Sequence, residues 1–550
     1  MIADQESSSH AQPIWGRRHR CARSLALVFF LLLLFFAPAS SQSAAGAYRQ
    51  TMLSIQQQIE AGNFDGARTM IAAAQREYSS DGGLDNLLGV VEIQQGHVDK
   101  ARQDFLAAIK HDTRLAGARM NLSRIDMQSA SDDLSRRTEA RRLSERVLQL
   151  DPSNDEAKYQ LATIFAWDHS YQHSLDYLET LGQQAREQVG SEALRCSDEA
   201  ALGHPEGASK AATAMAANPD LTEEDAMVCM PALRTARRAD LIEMIFASAG
   251  GHRALSAKGL RILGLAMEAD GKPQQAQATL ESAFAANTKS ATVLVDLTRV
   301  AEAANDHKGA LGYLAHAREL QPDDASLAYE FGAICLKMDL YREGRKAIAE
   351  AVKIAPGNPT YNYELGMIAS VGNDPAEALP YLNKFHSLRP HDADGILALG
   401  VAYFRAKDYD SALKWLKQAA PSMATAADAH FYLGRIAHQE GHLDEATREF
   451  IQSLSLRPDS ADVLAELGQV YLVNRDYSQA TPCFERAIQL DPANYAANFG
   501  LLQLYARTGD ERRDRQSKRF DEIRDKKDQR EREMMRTIEI RRDTGSENLQ

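Results

Sequence analysis

Asp168-His169 and His173 come nearest to a reactive constellation in this 550-residue chain. Two imidazoles four positions apart can share a metal ion if the segment is helical. No third ligand is identifiable, and the segment reads as a surface turn between two helices, so no metal site is expected. His430 and His438 stand inside helical stretches without a carboxylate at catalytic spacing. A Gly-rich phosphate loop, a G-x-S-x-G elbow, a paired C-x-x-C and an H-E-x-x-H are absent from the sequence. No catalytic residue and no cofactor site emerges. The expectation is a protein that is not an enzyme, with binding as its remaining chemistry.

Past the N-terminal segment the cysteines are Cys196, Cys229, Cys335 and Cys483. Cys335 falls on a packing position of a helix, where a free thiol behaves as a small apolar residue. Cys196 and Cys229 are nearly one repeat apart and can face each other. Equivalent positions in stacked repeats are usually too far apart for a direct bond, so no bridge is expected.

The elements that position any functional group are repeats. Pro322, Pro356, Pro390, Pro458 and Pro492 share one 34-residue grid, with Ala424 in the empty slot. Ten residues after the grid points stand Gly332, Gly366, Gly400, Gly434, Gly468 and Leu502. Gly344, Ala378, Ala412, Ala446 and Ala480 follow at a second fixed phase, and Ala351, Phe385, Ala419, Ser453 and Ala487 at a third. Small residues at fixed phases mean one unit stacked on copies of itself. In the copy Ala325 to Asn358, Leu327, Phe331, Ile334 and Cys335 recur at helical spacing, and Ile348, Ala351 and Val352 line a second helix. Pro356-Gly357 stops that helix. Turns within pairs are predicted near Gly62, Gly96, Asp339, Lys407, Gly441 and Arg475. The fold class is therefore all-α, an α-solenoid of stacked helix-turn-helix units from about Tyr48 to Gly509.

The pattern resembles the tetratricopeptide repeat (TPR) family. Leu365-Gly366, Leu399-Gly400, Leu433-Gly434 and Leu467-Gly468 match its apolar-small pair, Tyr403, Tyr471 and Tyr505 its tyrosine, and Leu382, Leu416, Phe450 and Phe484 its later apolar position. Weaker copies run back through Leu263-Gly264 and Leu297, and Leu88-Gly89, Gly96, Ala101, Phe105 and Ala108 form a good one. One copy carries a five-residue excess around Ser129 to Ser135, read as a longer turn. The resemblance implies a right-handed superhelix whose first helices line a concave groove. On that basis the groove row is Tyr329, Tyr363, Leu397, Phe431 and Phe499, with Asp394, Asp428 and Asp462 along one edge and Arg435 one turn away. Aromatic rows of this kind favour protein or peptide segments. The family's two-carboxylate clamp is missing, since its place holds Glu330, Glu364, Ala398, Tyr432 and Glu466, and the asparagine row of its sugar-transferase members is missing too.

Composition bounds the partners. Lys plus Arg number 63 against 76 Asp plus Glu, a net charge of -13, which argues against nucleic acid. Arg17, Arg18, Arg20 and Arg23 precede an apolar run from Leu25 to Ala37, followed by Ala37-Pro38-Ala39 and Ala45-Gly46-Ala47. This is the layout of a secretory signal peptide, with a mature start expected near Ser40 or Tyr48. The alternative is an uncleaved anchor that associates the chain with a membrane. The expected organisation is 1–39 signal peptide or anchor, 48–188 N-terminal repeats, 189–256 degenerate repeats or a joint, 257–509 C-terminal repeats and 510–550 a charged helical tail. The expected location is periplasmic or secreted, or else anchored at an inner membrane. The expected function is a non-enzymatic exported scaffold or adaptor. The alternative is an accessory part of an envelope or exopolysaccharide assembly or secretion machine, beside a separate enzyme.

Overall fold

The computed structural model describes residues 42–371 and 375–544. The segment 1–39 lies outside them. Ala45-Gly46-Ala47 falls inside the helix Gln42–Glu60. Twenty-nine helices and no strand are found among the described residues. The chain divides into two compact units, Met1–Asp306 and His307–Gln550.

In the first unit the helix pairs are Gln42–Glu60 with Phe64–Glu77, Gly82–Gln94 with Val98–His111, Ala116–Met127 with Leu134–Leu150, and Asp155–Trp167 with Tyr171–Glu179. A four-residue helix, Gln183–Arg186, precedes Val189–Leu202 with Pro205–Ala217, Glu223–Thr235 with Ala239–His252, and Ala257–Ala269 with Pro273–Ala286. Ala291–Ala303 ends the unit. His307–Leu320 opens the second, followed by Ala325–Lys337 with Tyr341–Ile354, Pro359–Val371 with Pro375–Leu388, Ala393–Arg405 with Tyr409–Ala419, Ala426–Gln439 with Leu443–Leu456, and Ala461–Val473 with Tyr477–Leu490. Tyr495–Thr508 and Arg513–Thr544 complete it.

The turns explain why these short helices stop where they do. Gly62, Gly96, Gly441, Asp339, Lys407 and Arg475 all take positive φ at the reversal within a pair. The longer turn in the third pair spans residues 128–133. First helices begin on side-chain caps such as Asp81, Asn154, Asp324, Asp392, Ser460 and Asn494, whose oxygens accept from backbone N–H groups of the first turn. The helix Tyr409–Ala419 is shorter than its sisters because Pro421 follows; Thr425 Oγ1 ties the irregular turn by donating to the Ala419 carbonyl, 2.8 Å.

The repeated small residues carry the packing. Ala378, Ala412, Ala446 and Ala480 are fully buried, as are Phe450 and Phe484. A Cβ at Gly434 would lie 2.8 Å from the Phe450 ring, so the glycine is what lets the two helices of that pair close. Phe385 stands where other copies have Ala or Ser, and Gly395 at the start of the next helix faces its ring and makes room. Between Val189 and Ala266 one continuous apolar core joins the helices, with Cys196, Cys229, Ile245 and Phe246 at its centre. Within the second unit, successive first helices touch each other as well as their own partners, so they form one wall.

Candidate protein-binding surface

The aromatic row lies on that wall, one residue per first helix. None of its members is fully buried. Tyr329 stacks on Tyr361, with centroids 4.8 Å apart. Tyr363 leans on Phe385 at 4.9 Å. Leu397 is half-buried against the cluster of Ile396, Ala419 and Ala429. Phe431 meets Tyr432 at 5.2 Å and Phe450 at 6.1 Å. Phe499 is 41% exposed beside Phe520. Ala465, at the same phase, is buried and leaves a gap in the row.

Two neighbourhoods of different chemistry follow. The first joins Tyr329, Tyr363, Glu364 and Asp394. Burial raises the Tyr329 phenol above its ordinary value, and Glu364 and Tyr361 add to it. Burial also raises Tyr363, with Asp394, Glu364 and Asp392 adding. The Glu364 carboxyl is itself raised by burial. Rings beside carboxylates favour a cation with an apolar stem.

The second neighbourhood is built around Arg435. Its guanidinium sits 4.8 Å from the Phe404 ring centre and 5.7 Å from that of Phe431. Its Nε lies 3.4 Å from Glu466 Oε1, and His438 Nδ1 is 3.8 Å from the other oxygen of the same carboxylate. Arg435 is thus held between rings and an acid, and acts on the shape of the wall. Phe404 lies seven residues, about two turns, beyond Leu397 on the same helix, and so falls outside the row that the sequence suggests.

The aspartates differ among themselves. Asp394 is exposed and has no ion-pair partner among the described residues. Asp428 is forked by Arg457, with contacts of 2.8 and 3.0 Å. Asp462 accepts from Asn494 Nδ2 at 2.8 Å. The acidic edge is therefore free at one position and engaged at two. Arg457 and Asn494 come from the turns that follow, out of reach of helical-spacing arguments.

The histidines need a correction. His430 has a carboxylate after all, since its Nδ1 lies 2.6 Å from Glu449 Oε2 on the second helix of its pair. The nineteen-residue separation hides that contact from local spacing. His169 takes positive φ at the turn, with Nδ1 2.7 Å from the Tyr171 hydroxyl. Asp168 pairs with Arg137 at 2.7 Å, and His173 stacks on Phe165 at 5.4 Å. Among the described residues no group of three His, Cys, Asp or Glu side chains is placed to hold a metal ion. Cys196 and Cys229 do face each other, and both are free thiols. The Cys196 thiol beside it, then burial, push the Cys229 thiol well above its ordinary value.

Paired helices, turns at a fixed period and glycines facing bulky partners define a helical-repeat scaffold. Tetratricopeptide-repeat models match residues 56–116, 268–329, 372–435 and 461–494. Over those residues the chain carries tetratricopeptide repeats. It is 23% identical over 206 residues to the human protein O-mannosyl-transferase TMTC1, covering 37% of this chain and 22% of that protein. It is 24% identical over 229 residues to the RNA polymerase-associated protein CTR9 of Caenorhabditis elegans, covering 40% of this chain and 20% of that protein. The match thus spans about a fifth of the length of these curated relatives. Among solved structures, Cut9 with Hcn1 shares 14% identity and a TM-score of 0.34, covering 84% of this chain and 91% of that one. Yeast Tom70 shares 15% and 0.32, covering 88% and 92%. No helix among the described residues is long and apolar enough to cross a membrane.

Proposed function

We propose that this protein is a non-enzymatic exported scaffold whose second unit captures protein segments on the wall of first helices. The observation that carries the reading is the environment of Tyr363. Its ring is half-buried against Phe385, and after burial the charges of Asp394, Glu364 and Asp392 raise its phenol further. The partner that fits is a segment with apolar side chains and at least one lysine or arginine. Tyr329, Leu397, Phe431 and Phe499 extend the apolar contact, and Phe404 with Arg435 shapes the middle of it. The basic and apolar layout of residues 17–37 supports export, with cleavage or an uncleaved anchor at that end.

A peptide array of alternating Leu, Phe, Lys and Arg sequences, probed with the full chain, tests the binding reading. Peptides with both apolar and basic residues should be retained, and their retention should fail when Tyr363, Phe431 and Phe499 are all Ala in a chain of unchanged helix content. Equal retention by that variant would refute the reading. N-terminal sequencing of protein recovered outside the cytoplasm tests export.

A further inference from the structure

Away from the wall of first helices, the first unit holds a cluster of three arginines, two of which have no ion-pair partner among the described residues. It lies where the second helices Val98–His111 and Leu134–Leu150 flank the first helix Ala116–Met127. Arg119, Arg142 and Arg146 line a cleft of about 250 Å³, with Ile109 and Leu143 as its apolar wall and Gln149 at one end. Arg119 is only 7% exposed. Its Nη1 donates to the Leu115 carbonyl, 3.1 Å, and among the described residues no carboxylate pairs with it. Arg146 likewise has no acidic partner among the described residues and donates from Nη1 to Gln149 Oε1 at 2.6 Å. Arg142 is held by Glu139 at 2.9 and 2.6 Å. Glu145 also lines the cleft, but its carboxylate is taken by Arg141 at 2.9 Å.

A guanidinium removed from water without a counter-charge is costly, and two more guanidiniums nearby raise the cost. Burial, then Arg146 and Arg142, lower the Arg119 pKa, and Asp112 alone opposes them. A chain with a net charge of -13 has acids to spare, yet among the described residues none forms an ion pair with Arg119. The natural complement is an anion from outside, bound by the planar forks that suit two-oxygen groups.

We propose that this cleft is an anion site for a small phosphate- or carboxylate-bearing ligand, whose apolar part rests on Ile109 and Leu143. Arg119 supplies the fixed donor at the floor, and Arg146 the mobile one at the rim. The site belongs to the other unit from the aromatic wall and does not depend on it.

Calorimetric titration of the full chain with inorganic phosphate, and separately with succinate, tests the proposal. At least one should bind saturably with a Kd below about 1 mM. Phosphate alone assigns a phosphate ligand, succinate alone a carboxylate. The affinity should fall as sodium chloride is raised. Arg146→Gln, at an exposed position, should weaken binding at least about tenfold, and Arg146→Lys by less. Arg119→Gln should abolish it while circular dichroism shows the helices intact; where that variant unfolds, Arg146→Gln decides. Saturable binding of neither anion, or unchanged affinity in Arg146→Gln, overturns the proposal.

Discussion

The ring of Phe520 lies 5.2 Å from that of Phe499 and 4.9 Å from that of Tyr495, so the charged C-terminal helix closes the end of the repeat stack. Gln516 Nε2 donates to the Asn498 carbonyl and side-chain oxygen at 3.0 and 3.1 Å, where Asn498 is fully buried. Arg512 covers the Tyr505 ring at 4.5 Å, and Lys527 the Tyr495 ring at 4.7 Å. A last repeat without a successor leaves an apolar face in water, and this helix covers it. Replacing Phe520 by Ala should therefore destabilise the second unit by about 2–4 kcal/mol. Urea unfolding followed by circular dichroism reads this directly; a midpoint equal to the parent's would show that the helix does not cap.

The sequence showed this segment as a charged helical tail but not which of its residues make the cap, because the partners of Phe520 and Gln516 lie on another helix. The pairs, by contrast, were legible almost residue by residue. The period places Gly434 opposite Phe450 and Gly366 opposite Leu382, and the spacing alone demands that relation. The site was legible as a row and not as an environment. The periodicity could find Tyr363 and Asp394, but the ion pair of Asp428 with Arg457 needs a turn to fold back. Side chains that meet across helices, such as His430 with Glu449, leave no local pattern.

Two glycines should respond in opposite directions to the same change. A methyl at Gly434 would meet the Phe450 ring at 2.8 Å, inside a packed core. Gly434→Ala should cost about 1–3 kcal/mol. Gly312, in the helix His307–Leu320, has nothing within 4 Å of the added atom. Gly312→Ala should gain about 0.5–1 kcal/mol, by helix propensity and a less mobile unfolded chain. Thermal unfolding of the two variants should move to either side of the parent, and a shift in the same direction would contradict the packing argument.

Asp198 gives the first unit a pH dependence of unusual sign. It is fully buried on the helix Val189–Leu202, and neither oxygen has a hydrogen-bond partner. Burial pushes its carboxyl from 3.8 up to about 7; Ser174 beside it opposes the shift without reaching bonding geometry, and Glu199 adds to it. Because the folded pKa is raised, the folded chain holds a proton that the unfolded chain releases between about pH 4 and 7. Stability contributed by this group therefore falls as pH rises through that window and is flat above it. Asp198→Asn should match the parent near pH 4 and exceed it by roughly 2–4 kcal/mol at pH 8. Denaturant titrations at both values test this. A difference that does not change with pH would mean that the carboxyl does not titrate in that window.

The unequal aspartates make the binding wall testable without disturbing its core. Asp394 is exposed, has no ion-pair partner among the described residues and acts electrostatically on Tyr363, whereas Asp428 already holds Arg457 in a two-contact fork. A ligand cation gains an unsatisfied charge at Asp394, but at Asp428 it must displace an existing partner. Asp394→Asn should weaken capture of a basic, apolar peptide by about 0.5–1 kcal/mol, close to the scale of an exposed ion pair, and the loss should shrink as salt is raised. Asp428→Asn should have a smaller effect on binding, because it releases Arg457 into the same region and adds a repelling charge only where the fork was. Fluorescence anisotropy with one labelled peptide at low and high salt orders the two variants. If Asp428→Asn proves the more damaging, the cation docks at the centre of the row, near Phe431, and the environment of Tyr363 is not the anchor.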